Sequence, residues 1–153
     1  MTNSPENNQT INILLCEDNP GDVFIIRHSL SKSKSAYNFY HTNDGENAMA
    51  FLRHEGEYQN VPDPDLLLLD LNLPKKEGFE VLEEIKTDSK LKLLPVVILT
   101  SSSAKQDILK SYDLYASCYV TKPFDFNEFV EAVKKIESFW LNFVQLPKFV
   151  NNN

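Results

Sequence analysis

The apolar positions of this chain fall into short runs whose internal spacing changes character along the sequence. Residues 11–16 (INILLC) are apolar at nearly every position, have the length of a strand, and end at Glu17-Asp18. Asn19-Pro20-Gly21 follows, a turn signal that also opens a helix, since proline suits a first helical turn. Val23, Ile26 and Leu30 then recur at helical spacing. Residues 37–42 (YNFYHT) are aromatic and alternating, which suits a strand. Residues 44–54 carry Ala48, Phe51 and Leu52 on one helical face, and 56–64 read as a loop with two prolines and a glycine. Residues 65–70 (DLLLLD) show no alternation, the mark of a strand buried on both faces.

The same order repeats to the end of the chain. Leu73-Pro74 and Gly78 punctuate a loop before a helix carrying Phe79, Leu82 and Ile85. Residues 95–100 (PVVILT) form another buried strand, followed by a serine-rich loop and a helix over about 104–115 with Ile108 and Tyr112 on its inner face. A fifth strand over 117–121 ends at Lys122-Pro123, and Asp125 can cap a last helix with Glu128 in capping-box register. Five alternations of strand and helix predict an α/β fold, a doubly wound parallel sheet with helices on both faces. The residues divide into a polar tail (1–10), one domain with an extended C-terminal helix (11–146) and a second tail (147–153).

The last helix carries an apolar stripe of Phe126, Phe129, Val130, Val133, Ile136, Trp140, Phe143 and Val144, with Phe139 beside it. Run from 125 to about 145 it would be roughly 31 Å long at 1.5 Å per residue, against about 20 Å for a six-residue strand. Phe139, Trp140 and Phe143 would then overhang the sheet. Either the tail (LPKFVNNN) folds back over them, or they form the interface of a homodimer, the preferred expectation because large exposed apolar patches are rare on monomers.

Composition narrows the function. The 153 residues suffice for one compact domain. A formal charge of -7 with scattered Lys and Arg argues against a nucleic-acid surface. The longest apolar runs are too short to span a membrane, and the polar start has no signal-peptide pattern, so a cytoplasmic location is expected. Cys16 and Cys118, each within an apolar strand segment, read as free core thiols of a reducing compartment. His28, His41 and His54 share no motif and read as structural or solvated.

In a doubly wound sheet the working crevice lies at the carboxyl ends of the strands. Glu17-Asp18, Asp70, Thr100 and Lys122 close four of the strands and would meet there. Carboxylates gathered so closely repel unless a cation sits among them. Oxygen ligands completed by water suit Mg2+, or another hard divalent ion such as Mn2+. Such a site lacks only a dianionic phosphoryl group. Asp70 would be the nucleophile forming an aspartyl phosphate, with the metal and Lys122 neutralising the transferred group and the Thr100 hydroxyl donating to it.

With these residues in place, the segments ILLCEDNPGDV, LLLLDLNLPKKEGFEVL, PVVILTSSS and YVTKPFD resemble the receiver domain of two-component response regulators, over about residues 12–140. The resemblance implies a flavodoxin-like strand order 2-1-3-4-5, with Asp70 as phosphoacceptor. It implies that Asp18 binds the metal directly, Glu17 directly or through water, and Asn72 by its main-chain carbonyl. It makes Thr100 and Tyr119 the switch pair, Lys122 the phosphate-binding lysine, and the bond to Pro123 cis. The partner implied is a sensor histidine kinase, and then a downstream protein target. No turnover of an outside substrate is implied: the chain would catalyse only its own phosphorylation and dephosphorylation. DLNLPKKEG, TSSSAKQDILKSYDLYASCYVTKP and ESFWLNFVQLP are similar to the stand-alone regulators paired with bacterial phytochromes. Glu17 departs from the family's frequent Asp. Two alternatives remain: a degenerate receiver that only binds partners, and a haloacid-dehalogenase-like phosphatase. The latter usually places its nucleophile on the first strand with a second acid two positions later.

Overall fold

The computed structural model describes residues 10–31 and 36–147; most of both expected tails, 1–9 and 148–153, lies outside the described residues. Five strands, β1 (Ile11–Cys16), β2 (Tyr37–Thr42), β3 (Leu66–Leu69), β4 (Val96–Thr100) and β5 (Cys118–Thr121), form one parallel sheet in the order β2-β1-β3-β4-β5. Five helices connect and flank them: α1 (Pro20–Leu30), α2 (Gly45–Arg53), α3 (Gly78–Thr87), α4 (Lys105–Asp113) and α5 (Phe126–Trp140). Both the strand order and the two-faced helix cover match the sequence expectation. Every residue of β1, β3 and β4 is buried, whereas the edge strands β2 and β5 are mostly half-buried. Unbroken apolar runs thus mark the strands covered on both faces.

Alternation along the strands divides the core into two layers. Leu14, Cys16, Leu67, Leu69, Val96 and Ile98 face α2 and α3, packing with Met49, Phe51, Val81, Leu82 and Ile85. Ile13, Leu15, Leu66, Leu68, Val97 and Leu99 face α1 and α5, packing with Ile26, Leu30, Phe129, Val133 and Ile136. Two glycines bring the loop after β3 close to its neighbours. A Cβ on Gly78 would lie 2.4 Å from the Asp70 carbonyl oxygen, and one on Gly45 would lie 2.0 Å from that of Lys76. Only hydrogen fits at either position.

Three expectations need correction. The last helix ends at Trp140 and not near residue 145, so its 15 residues span about 22 Å. Beyond it the Phe143 and Val144 N–H groups both donate to the Phe139 carbonyl in a closing turn, and Leu141 and Leu146 bury into the α1/α5 layer. The apolar pattern continues past the helix because the turn uses it. Secondly, Tyr112 of α4 is 48% exposed, while Ser111 is fully buried with its hydroxyl donating to the Asp107 carbonyl. Thirdly, the Lys122–Pro123 bond is trans, as are all the peptide bonds of the described residues. Trans is the lower-energy isomer before proline.

Candidate functional site

Four of the five strands deliver residues to the carboxyl rim, and backbone bonds tie the strand ends together. The Asp70 N–H donates to the Cys16 carbonyl at 3.1 Å, the Glu17 N–H to the Thr42 carbonyl at 3.1 Å and the Lys122 N–H to the Thr100 carbonyl at 2.7 Å. Glu17, Asp70 and Thr100 are buried, and Asp18 is exposed. One carboxylate oxygen from each of Glu17, Asp18 and Asp70 lies within 4.8 Å of the other two.

The Lys122 ammonium is at the centre of the cluster. Its Nζ lies 2.6 Å from Glu17 Oε1, 2.7 Å from Asp22 Oδ2 and 3.0 Å from Asp70 Oδ2, with only 7% of the side chain exposed. Burial alone would lower the lysine; the hydrogen bonds to Asp22 and Glu17 and the charge of Asp70 outweigh it, and the ammonium is held above its ordinary value. Glu17 is raised as well, which for a carboxylate disfavours the charged form. Burial pushes it up to about 7, with the Asp70 charge adding to the rise and the Lys122 hydrogen bond opposing it. One ammonium does not balance this group of acids, and the cluster still favours a cation.

The second Asp70 oxygen, Oδ1, accepts the Asn72 N–H at 3.1 Å. That bond folds the peptide after Asp70 back on its carboxylate. The Thr100 hydroxyl is fully buried and has no hydrogen-bond partner. A buried hydroxyl without an acceptor is costly, and its place at the rim suits an incoming anionic oxygen. Tyr119 projects from the sheet face that Thr100 shares, opposite Ile98 in register, and its hydroxyl donates to the Ser102 carbonyl at 2.8 Å.

Three participants were not anticipated. Asp22 is a further acid on Lys122, and its place four residues after Asp18 in the first turn of α1 was the available signal. Asn19 does two jobs: its N–H donates to Glu17 Oε2 at 3.1 Å, and its Oδ1 accepts the Asp22 N–H at 3.1 Å. His41 Nε2 donates to the Glu17 carbonyl at 2.7 Å, which braces the end of β1 from β2. The other two histidines lie outside the cluster, His28 stacked on Phe24 and His54 paired with Asp63.

Phe139, Trp140 and Phe143 lie far along α5 and its closing turn. Phe139 packs edge-on against Trp140 with ring centroids 5.2 Å apart and tilted against Phe143 at 5.8 Å. Phe143 is 76% exposed and Phe139 46%, whereas Trp140 is half-buried on the α1/α5 layer. Leu146 is buried in the layer against which Trp140 packs, and the two phenylalanines are exposed. A groove of about 720 Å3 runs beside them between β5 and α5, lined by Cys118, Val120, Ala132, Ile136 and Trp140. Cys16 and Cys118 are unpaired thiols, and burial pushes Cys16 up to about 12.

Residues 13–134 match the family model of the response regulator receiver domain. Response regulator Rcp1 of Synechocystis sp. is 46% identical over 144 residues, covering 94% of this chain and 98% of its own length. Its solved Mn2+-bound form superposes with a TM-score of 0.88 at 47% identity, over 90% of this chain and 99% of that one. The phosphorylated form of the cyanobacterial phytochrome response regulator RcpA gives 0.88 at 48% identity, over 91% and 99%. The probable methanogenesis regulatory protein FilR2 of Methanothrix harundinacea is 35% identical over 88% of this chain and 86% of its own. Among the described residues no helix is long and apolar enough to cross a membrane.

Proposed function

The chain belongs to the response regulator receiver family, and from that premise we propose that Asp70 accepts a phosphoryl group from the phosphohistidine of a sensor kinase, with a divalent cation, Mg2+ or Mn2+, in the carboxylate cluster. The observation that carries this reading is the placing of Lys122 3.0 Å from Asp70 at the same strand ends as Thr100, whose fully buried hydroxyl has no acceptor. Rcp1 and RcpA, as Mn2+-bound and phosphorylated proteins, support the metal and the phosphoryl group respectively.

Asp18, Asp70 and the Asn72 carbonyl would hold the cation, with Glu17 assisting directly or through water. Bound there, it would neutralise charge on the phosphoryl oxygens. An Asp70 oxygen attacks phosphorus while the phosphorus–imidazole bond breaks and its electron pair leaves with the ring nitrogen. Lys122 offsets the negative charge of the transferred group, and Thr100 donates its hydroxyl hydrogen to a phosphoryl oxygen. Movement of Thr100 toward that oxygen opens space on the face it shares with Tyr119. The Tyr119 ring then leaves Ser102 and reshapes the surface around β5, which a partner reads.

The kinase is a bacterial phytochrome or a relative of one, on the likeness to RcpA. The open Phe139 and Phe143 rings beside the β5–α5 groove are the contact of a homodimer. The phosphatase alternative fits less well, because the acceptor closes β3 and the position two later is Asn72, an amide with no acid to offer. A degenerate receiver would have lost one of these side chains, and all are present.

Incubation with acetyl phosphate and Mg2+ should give the parent an acid-stable, base-labile label that chelation prevents. Asp70→Asn should take up none. Undiminished labelling of Asp70→Asn would sink the assignment.

A further inference from the structure

Lys122 has three N–H donors, and three carboxylates take them. Glu17 and Asp70 belong to the acid trio that suits a cation, whereas Asp22 stands outside it. The backbone that carries Asp22 is also held: its N–H is capped by Asn19, the Val23 N–H donates to the Asn19 carbonyl at 3.0 Å, and the Asn19 N–H is tied to Glu17. The bonds from Lys122 to Glu17 and Asp22 are shorter than the one to Asp70.

A phosphoryl oxygen arriving on Asp70 can reach the ammonium only by displacing one of these acceptors. Glu17 has a competing claim from the cation and can release its donor to it. Asp22 has none.

Taking Asp70 as the phosphoacceptor, we propose that Asp22 is a positioning residue for the transfer: it keeps one Lys122 donor on the α1 side of the site and limits how far the ammonium follows the phosphoryl group. Its charge also adds to the field that attracts the cation and opposes the anionic donor. Asp22 thus sets opposing preferences, helping metal entry and restraining phosphoryl capture. The structural alternative is that an acid in the first turn of α1 merely complements the helix N-terminus. That role would affect folding alone.

The full chain, Asp22→Asn, Asp22→Glu and, against misfolding of the amide, Asp22→Ser should be compared in three measurements: Mn2+ affinity by water-proton relaxation, beryllofluoride affinity at saturating Mg2+, and the thermal midpoint. Loss of one nearby charge should weaken Mn2+ binding by about three- to tenfold and tighten beryllofluoride by a comparable factor in Asp22→Asn and Asp22→Ser. Asp22→Glu, which keeps the charge, should return both toward the parent. A change in thermal midpoint with both affinities unmoved overturns the proposal, and so does a parallel loss of both. If Asp70→Asn remains unlabelled while Asp22→Asn behaves as the parent, only the positioning role fails. Labelling of Asp70→Asn removes the underlying assignment as well.

Discussion

Thr100 closes β4 with no exposed surface and with a hydroxyl that finds no acceptor, a burden at rest that a phosphoryl oxygen would relieve. Thr100→Val keeps the shape and removes the hydroxyl. It should raise the urea-unfolding stability of the resting protein by about 1 kcal/mol, the scale of a buried unsatisfied polar group, and lower the level of label held on Asp70. A loss of stability would mean that the hydroxyl is satisfied at rest. The residues that end strands were legible in the sequence, because an acid, a threonine or a lysine after an apolar run stands out. Asp22 and His41 were not: their partners lie 100 and 24 positions away. An acid in a first helical turn and a histidine in a strand each have an ordinary local explanation.

At the level of elements, the strands were legible almost to the residue, and the end of α5 was not. Apolar positions at 141, 143, 144 and 146 continue a helical rhythm that the chain uses for a turn, with Leu141 and Leu146 buried and Phe143 exposed. Buried Ser111 escaped for a related reason: its hydroxyl is satisfied by its own helix, so a polar residue occupies a core position. The two ends of this turn should separate in experiment. Leu146→Ala should cost about 2–5 kcal/mol in urea unfolding, as a buried leucine does, and leave self-association to follow stability. Phe143→Ala should leave unfolding within about 0.5 kcal/mol and shift sedimentation toward the monomer. A parent that remains monomeric at high concentration defeats the dimer.

For the whole molecule, two apolar layers hold a rim on which Glu17, Asp22 and Asp70 bond the Lys122 ammonium and Asp18 lies beside Glu17 and Asp70. Two-sided burial marks β1, β3 and β4 as the inner strands, and the observed order brings their carboxyl ends together on the rim. Folding therefore assembles the site, and a cation bound to the folded state alone must stabilise the fold. At a hundred times its dissociation constant Mg2+ should add about 2.7 kcal/mol, a rise of roughly 5–10 °C in thermal midpoint for a domain of this size. Asp18→Asn should lose most of that rise. An equal response from the variant would place the cation elsewhere.

The central claim is that one carboxylate among four on this rim takes the phosphoryl group. Borohydride reduction of the protein after treatment with acetyl phosphate and Mg2+ converts an aspartyl phosphate to homoserine, and peptide mass mapping locates the change. Homoserine should be found at position 70 and vanish with a chelator. Homoserine at position 18 or 22, or none in protein that carries the label, would contradict the account.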